Sequence, residues 1–144
     1  MKYKIESLDL YPTNFCQLHC EECYLNSNEQ EWSSVILNTI IDSKIFSVTE
    51  QNINILGGEP TEWKFLYDLL FAIRSQNKKV NITITTNAIK LIHDIEHKEK
   101  FIKCCVDCGV KVNVSWHYNQ NIIKPILDLK KHNILNYVIF VPNN

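Results

Sequence analysis

The stretch Val80–Asn87, VNITITTN, decides the fold. Val80, Ile82 and Ile84 alternate with Asn81, Thr83, Thr85 and Asn87, the period-two pattern of a strand covered on one face only. The run KVNVSWH repeats it, with Val112, Val114 and Trp116 alternating with Lys111, Asn113, Ser115 and His117. Working outward, β-rich runs predict strands at Glu6–Tyr11, Gln51–Leu56, Lys79–Thr86, Val110–His117 and Asn136–Val141. Between them, apolar residues recur at helical spacing: Ile36, Leu37, Ile40 and Ile41, then Phe65, Leu66, Leu69, Leu70 and Ile73, then Phe101, Ile102, Cys105 and Val106. Boundary signals agree with this division. Ser33 or Ser34 can cap the first helix, Thr61 with Glu62 can open the second, Gly109 can end the third, and Pro125 suits the first turn of the fourth.

Strands and helices in strict alternation predict an α/β fold with parallel strands and right-handed crossovers. A flat sheet with helices on both faces would bury the strand asparagines and threonines against apolar side chains, at a cost unless each found a partner. Curling the sheet into a partial, TIM-like (β/α) barrel of about five strand-helix units places them in a polar, ligand-holding lumen. An open sheet with one solvated face has the same parity.

Composition narrows the function classes. A chain of 144 residues, 45% hydrophobic and 22% charged, predicts a single domain over residues 1–144. A net charge of -1 with intermixed signs offers no electrostatic stripe for nucleic acid or an anionic membrane. The N-terminal run MKYKIESLDLYP has no apolar signal core or small-residue cleavage site, and no later apolar run reaches the ~20 residues of a membrane-spanning helix. The expected location is cytoplasmic. In a reducing compartment six cysteines read first as metal ligands or redox groups.

Three of those cysteines lie within NFCQLHCEECY, Asn14–Tyr24, spaced CxxxCxxC at Cys16, Cys20 and Cys23. They fall in the loop beyond the C-terminal end of the first strand, the edge where parallel sheets carry their chemistry. A structural zinc site is closed by four protein ligands, whereas three thiolates on a four-iron cluster leave one iron free of protein. The alternative is a zinc knuckle in which Cys20 and Cys23 join Cys105 and Cys108 as two CxxC pairs, making the chain a non-catalytic structural or redox-sensing module.

The motif CQLHCEEC resembles that of the radical S-adenosylmethionine (SAM) superfamily, and the wider PTNFCQLHCEECYL is similar to its peptide- and protein-modifying branches. Three further matches follow in the family's order: GGEP at Gly57–Pro60, TTNA at Thr85–Ala88, and Ser115 near the end of the fourth strand. The resemblance implies an enzyme in which Cys16, Cys20 and Cys23 hold a [4Fe-4S] cluster whose free iron is chelated by the methionine amine and carboxylate of SAM. It implies that Gly57 and Gly58 allow close approach and donate amides, that Glu59 accepts hydrogen bonds from the methionine amine, and that Ser115 and Asn87 bind ribose hydroxyls. Reductive cleavage of SAM would then give a 5′-deoxyadenosyl radical that abstracts hydrogen from a substrate, with a peptide or protein side chain as the expected class and a separate electron donor as partner.

The chain also departs from the family pattern. Glu22 replaces the common aromatic residue beside the adenine, leaving its backbone to serve. Ala88 stands where the family often has glycine, which matters if that position needs a positive φ. The family barrel usually has six strand-helix units against five strands here, so either a C-terminal part is missing or the barrel is a minimal, more open one. His117, beside Ser115, is the candidate acid or base facing substrate, with a hydrogen-bonded structural histidine as the equal alternative. His19 is expected to face solvent between the cysteines. Cys104, Cys105 and Cys108 are expected to pack in the core, with an auxiliary metal site as the alternative.

Overall fold

The computed structural model describes residues 3–21, 23–25, 27–118 and 120–142. Five strands, β1 (Ile5–Leu10), β2 (Thr49–Ile55), β3 (Asn81–Thr86), β4 (Val110–His117) and β5 (Leu135–Val141), form one sheet in the order 1-2-3-4-5. Every neighbouring pair is parallel. The connections are helices: α1 (Ser34–Asp42), α2 (Leu66–Gln76), the short α3 (Lys90–His93) with α4 (Ile95–Cys108), and α5 (Ile123–Lys131). This is the open, parallel strand-helix sheet of a partial barrel, as the alternation predicts.

The alternation sorts the two faces. Ile53, Ile55, Ile82, Ile84, Val112 and Val114 are at most 1% exposed and pack with Leu69, Leu70, Ile73 and Phe101 of the helices in one core. The opposite face carries a polar ladder across the strands. Asn54 donates to Asp9 at 2.7 Å, Thr83 donates to Asn54 at 2.7 Å, Asn113 donates to Thr85 at 3.4 Å, and Asn136 donates to Asn113 at 2.9 Å. Each amide meets a partner from the next strand, so a polar face is held without leaving donors stranded.

Boundary residues mostly act as read. Ser33 caps α1 by accepting from the Ile36 amide, and Gly109 ends α4 in the left-handed region at φ 62°. Thr61 and Glu62 do not open α2. They form a separate single turn, Pro60–Glu62, because the Glu59 carboxylate accepts from the Thr61 amide and Trp63 is extended; α2 starts at Leu66. β5 is an edge strand, with Tyr137, Val138, Ile139 and Phe140 between 37% and 54% exposed.

Candidate active site

The cysteine loop leaves β1 and returns to α1, and its base is zipped. Asn14 donates to the Gln30 carbonyl at 2.8 Å and Trp32 to the Pro12 carbonyl at 2.7 Å, around an antiparallel bridge between Thr13 and Glu31. Trp63 braces that base, its indole donating to the Trp32 carbonyl at 3.1 Å and its ring meeting Trp32 edge-on. Within the loop, Ser27 bonds both the amide and the carbonyl of Cys16, each at 3.1 Å. Cys23 donates its amide to the Cys20 carbonyl at 3.2 Å, and His19 sits exposed at φ 46°, so a tight turn presents the last two cysteines.

The loop docks on GGEP through backbone alone. Gly58 donates to the Thr13 carbonyl at 2.8 Å and Glu59 to the Phe15 carbonyl at 2.6 Å. A Cβ on Gly57, which has φ 122°, would lie 2.4 Å from the Thr13 oxygen, and one on Gly58 would lie 2.0 Å from the Phe15 oxygen. The paired glycines are therefore required by the cysteine loop itself, and the Gly58 amide is committed to Thr13.

Glu59 ties a third loop in. It is 1% exposed, and its Oε1 accepts from the Thr61 amide at 3.1 Å and from the Thr61 and Thr86 hydroxyls at 2.6 Å each. Oε2 accepts the Asn87 amide at 2.7 Å and keeps capacity for a further donor. Burial pushes the Glu59 carboxyl above its usual range, against the pull of these donors. Beyond it, Ala88 takes φ 59° with no exposure, so the left-handed turn is made here without glycine.

These loops enclose a cavity of about 270 Å³ at the C-terminal edge of the sheet. Cys16, Cys20, Cys23, Gly57, Gly58, Glu59, Asn87, Ser115 and His117 all line it. Glu22 lies outside the described residues. Cys20 and Cys23 are exposed and Cys16 is half-buried, its thiol pushed above the ordinary range chiefly by that burial. Burial likewise holds the His117 imidazole below its usual range. Thr86, Thr61, Ser27 and Gln17 are parts of the site that residue type alone does not single out; Thr86 sits inside TTNA and Thr61 two residues past Glu59, both within reach of the motifs, while Ser27 and Gln17 pair only in space.

Cys104, Cys105 and Cys108 belong to α4 and are buried in the core, away from this cavity. Burial pushes the Cys104 thiol up to about 12, and Cys105 well above its usual range. Two CxxC pairs therefore do not meet, and the three loop cysteines line the cavity without them. Three thiols around one cavity are a donor set that fits an iron–sulfur cluster.

This site on a parallel sheet edge defines an iron–sulfur protein of the partial-barrel type. The chain belongs to the 4Fe-4S single cluster domain family, whose model matches residues 9–137. That membership and the shared fold agree with the radical SAM resemblance read from the cysteine motif. Among solved structures, the chain is similar to BtrN in complex with AdoMet and 2-DOIA, with TM-score 0.73 and 16% identity over 96% of this chain and 58% of that one. It is also similar to Streptococcus suis SuiB bound to S-adenosylmethionine, with TM-score 0.53 and 21% identity over 99% of this chain and 41% of that one. SuiB bound to the precursor peptide SuiA gives TM-score 0.54 and 20% identity over 100% of this chain and 40% of that one. The chain thus spans about three-fifths of BtrN and two-fifths of SuiB. None of the curated proteins matches it in sequence.

Proposed function

We propose that this chain is the catalytic core of a radical SAM enzyme. The observation that carries the reading is the convergence of three loops, bearing Cys16, Cys20 and Cys23, GGEP, and TTNA, with Ser115 on one cavity. Cys16, Cys20 and Cys23 would hold a [4Fe-4S] cluster, which when bound supplies the electron that splits the S–C5′ bond of SAM into methionine and a 5′-deoxyadenosyl radical. The Gly57–Gly58 backbone lines the cavity beside the cysteine loop, where the methionine end of SAM would lie. Glu59, with acceptor capacity left on Oε2, is placed to take a charge-assisted hydrogen bond from its amine. Ser115 offers a hydroxyl to the ribose.

The substrate class we assign is a peptide or protein side chain. The wider cysteine motif supports it, and SuiB, one of the structural neighbours, has been crystallised with a precursor peptide. The enzyme is expected to work in the cytoplasm with a separate electron donor. The test is anaerobic reconstitution followed by dithionite and SAM. Brown protein with about four irons per chain, yielding 5′-deoxyadenosine, is the expected result. Colourless protein holding stoichiometric zinc would overturn it, and a full cluster without SAM cleavage would leave a binding module in place of an enzyme.

A further inference from the structure

We infer that Asn87 and His117 are N–H donors to the thiolates of Cys16 and Cys20, setting the cluster's reduction potential from the βα edge opposite the cysteine loop. The inference rests on the cluster-binding reading above. Asn87 Nδ2 lies 3.7 Å from Cys16 Sγ, and His117 Nδ1 lies 3.6 Å from Cys20 Sγ. Sulfur's larger radius places N–H···S contacts at such distances, longer than those to oxygen.

The direction of each contact is fixed by its surroundings. Asn87 Oδ1 is taken by the Ile89 amide at 3.0 Å, so the NH₂ group is the end presented to Cys16. The Asn87 backbone is pinned by Glu59 at 2.7 Å, and the residue is only 5% exposed. Gln17 flanks it, its Oε1 accepting from Nδ2 at 3.4 Å. This packing gives Asn87 a duty different from the ribose contact expected from the motif. For His117, a metal-bound thiolate can only accept, so Nδ1 carries the hydrogen in the contact.

Both contacts act on the same property. A hydrogen bond to a ligand sulfur withdraws charge and stabilises the more negative, reduced cluster, so each donor raises the potential. Neither residue is needed to bind iron. The positions come from two different strands, the end of β3 and the end of β4, so the effect depends on the sheet edge holding its shape around the loop.

The experiment is a spectroscopic redox titration of the reconstituted full chain without SAM, comparing wild type with His117→Phe, His117→Asn and Asn87→Ala, each checked for iron. His117→Phe keeps a ring and loses the donor. His117→Asn keeps an amide nitrogen at nearly the Nδ1 position. Expected is a fall in the reduced-to-oxidised ratio at fixed poise of roughly threefold to tenfold for His117→Phe, tenfold being ~59 mV for a one-electron couple. Recovery to near wild type in His117→Asn, a fall in Asn87→Ala, and an upward shift of the Fe–S(Cys) stretching frequencies in both losing variants are expected with it. His117→Phe and Asn87→Ala that retain full iron and titrate with wild type would overturn the inference. Should Asn87→Ala fail to fold, the His117 pair decides alone. Wild-type protein that takes up no iron overturns the functional reading and this inference with it, whereas a full cluster with unmoved potentials overturns this inference only.

Discussion

Gly58→Ala tests the contact on which the site's assembly depends. The added Cβ would lie 2.0 Å from the Phe15 carbonyl oxygen and 2.6 Å from the Asn14 carbonyl carbon. A relaxed C···O contact needs roughly 3.3 Å, so GGEP and the cysteine loop must part by more than about 1 Å. That separation breaks the hydrogen bonds Gly58 to Thr13 and Glu59 to Phe15. At about 1 kcal/mol each, with a similar sum for the partners left unpaired, the loss is about 2–4 kcal/mol. For a chain of this size the melting temperature should fall by roughly 6–14 °C. Thermal unfolding of the apo-protein by circular dichroism reads that fall, and iron content after reconstitution reads the displaced cysteines. Gly109→Ala is the control: it carries the strain of a left-handed φ of 62°, but its Cβ would meet only the end of the Arg74 side chain at 3.6 Å. It should cost about 1–2 kcal/mol and no iron. A Gly58→Ala protein that melts with wild type and binds full iron would refute the reasoning, since the glycine would then not be holding two backbones together.

Cys20→Ala should abolish cluster retention while Cys104→Ala leaves iron content nearly unchanged; equal iron loss in both would overturn the ligand assignment. At Ala88, replacement by glycine relieves about 1–2 kcal/mol of left-handed strain. It gives back about 0.5–1 kcal/mol of backbone entropy and about 0.8 kcal/mol of methyl burial. Urea unfolding of Ala88→Gly should thus agree with wild type to within about 1 kcal/mol, and a loss above about 2 kcal/mol would contradict the φ of 59°. Glu59 makes a pH prediction. Its carboxyl is raised above the ordinary 4.5, so between that value and the raised one the folded chain holds more protons than the unfolded chain. Apo-protein stability contributed by this group is therefore full below 4.5 and falls as pH rises through the window. The urea midpoint of wild type should decline more steeply with pH there than that of Glu59→Gln, and parallel profiles would show that Glu59 does not titrate as its burial requires.

Much of the fold was legible because one physical signal carried it. The alternation in VNITITTN and KVNVSWH requires helices on a single face, and the sheet has buried isoleucines and valines on that side and a ladder of asparagine, threonine and aspartate on the other. Val110–His117 was located to the residue, since Gly109 marks its start. The opening of α2 was misplaced because Thr61 and Glu62 have the chemistry of a helix start, and nothing local reveals that the preceding glutamate takes the Thr61 amide for a separate turn. The short α3 was invisible for a similar reason: four residues are too few to show a period.

The site was legible as a set of motifs but not as a set of contacts. Cysteine spacing, the paired glycines and Glu59 announce themselves by residue type; which loop each one touches does not follow from type. By residue type Gly57 and Gly58 suggest room for a ligand, and the geometry adds a prior demand, the backbone of Thr13–Phe15 pressed against them. Glu59 has the chemistry of a ligand contact, and it is first the buried post to which Thr61, Thr86 and the Asn87 backbone are fastened. Cluster loop, GGEP and TTNA are consequently one hydrogen-bonded unit. A substitution that removes the Glu59 carboxylate or forces the Gly57–Gly58 backbone away from Thr13–Phe15 should therefore disturb iron retention through all three loops, whereas one that leaves those ties in place, as at Ala88, should not.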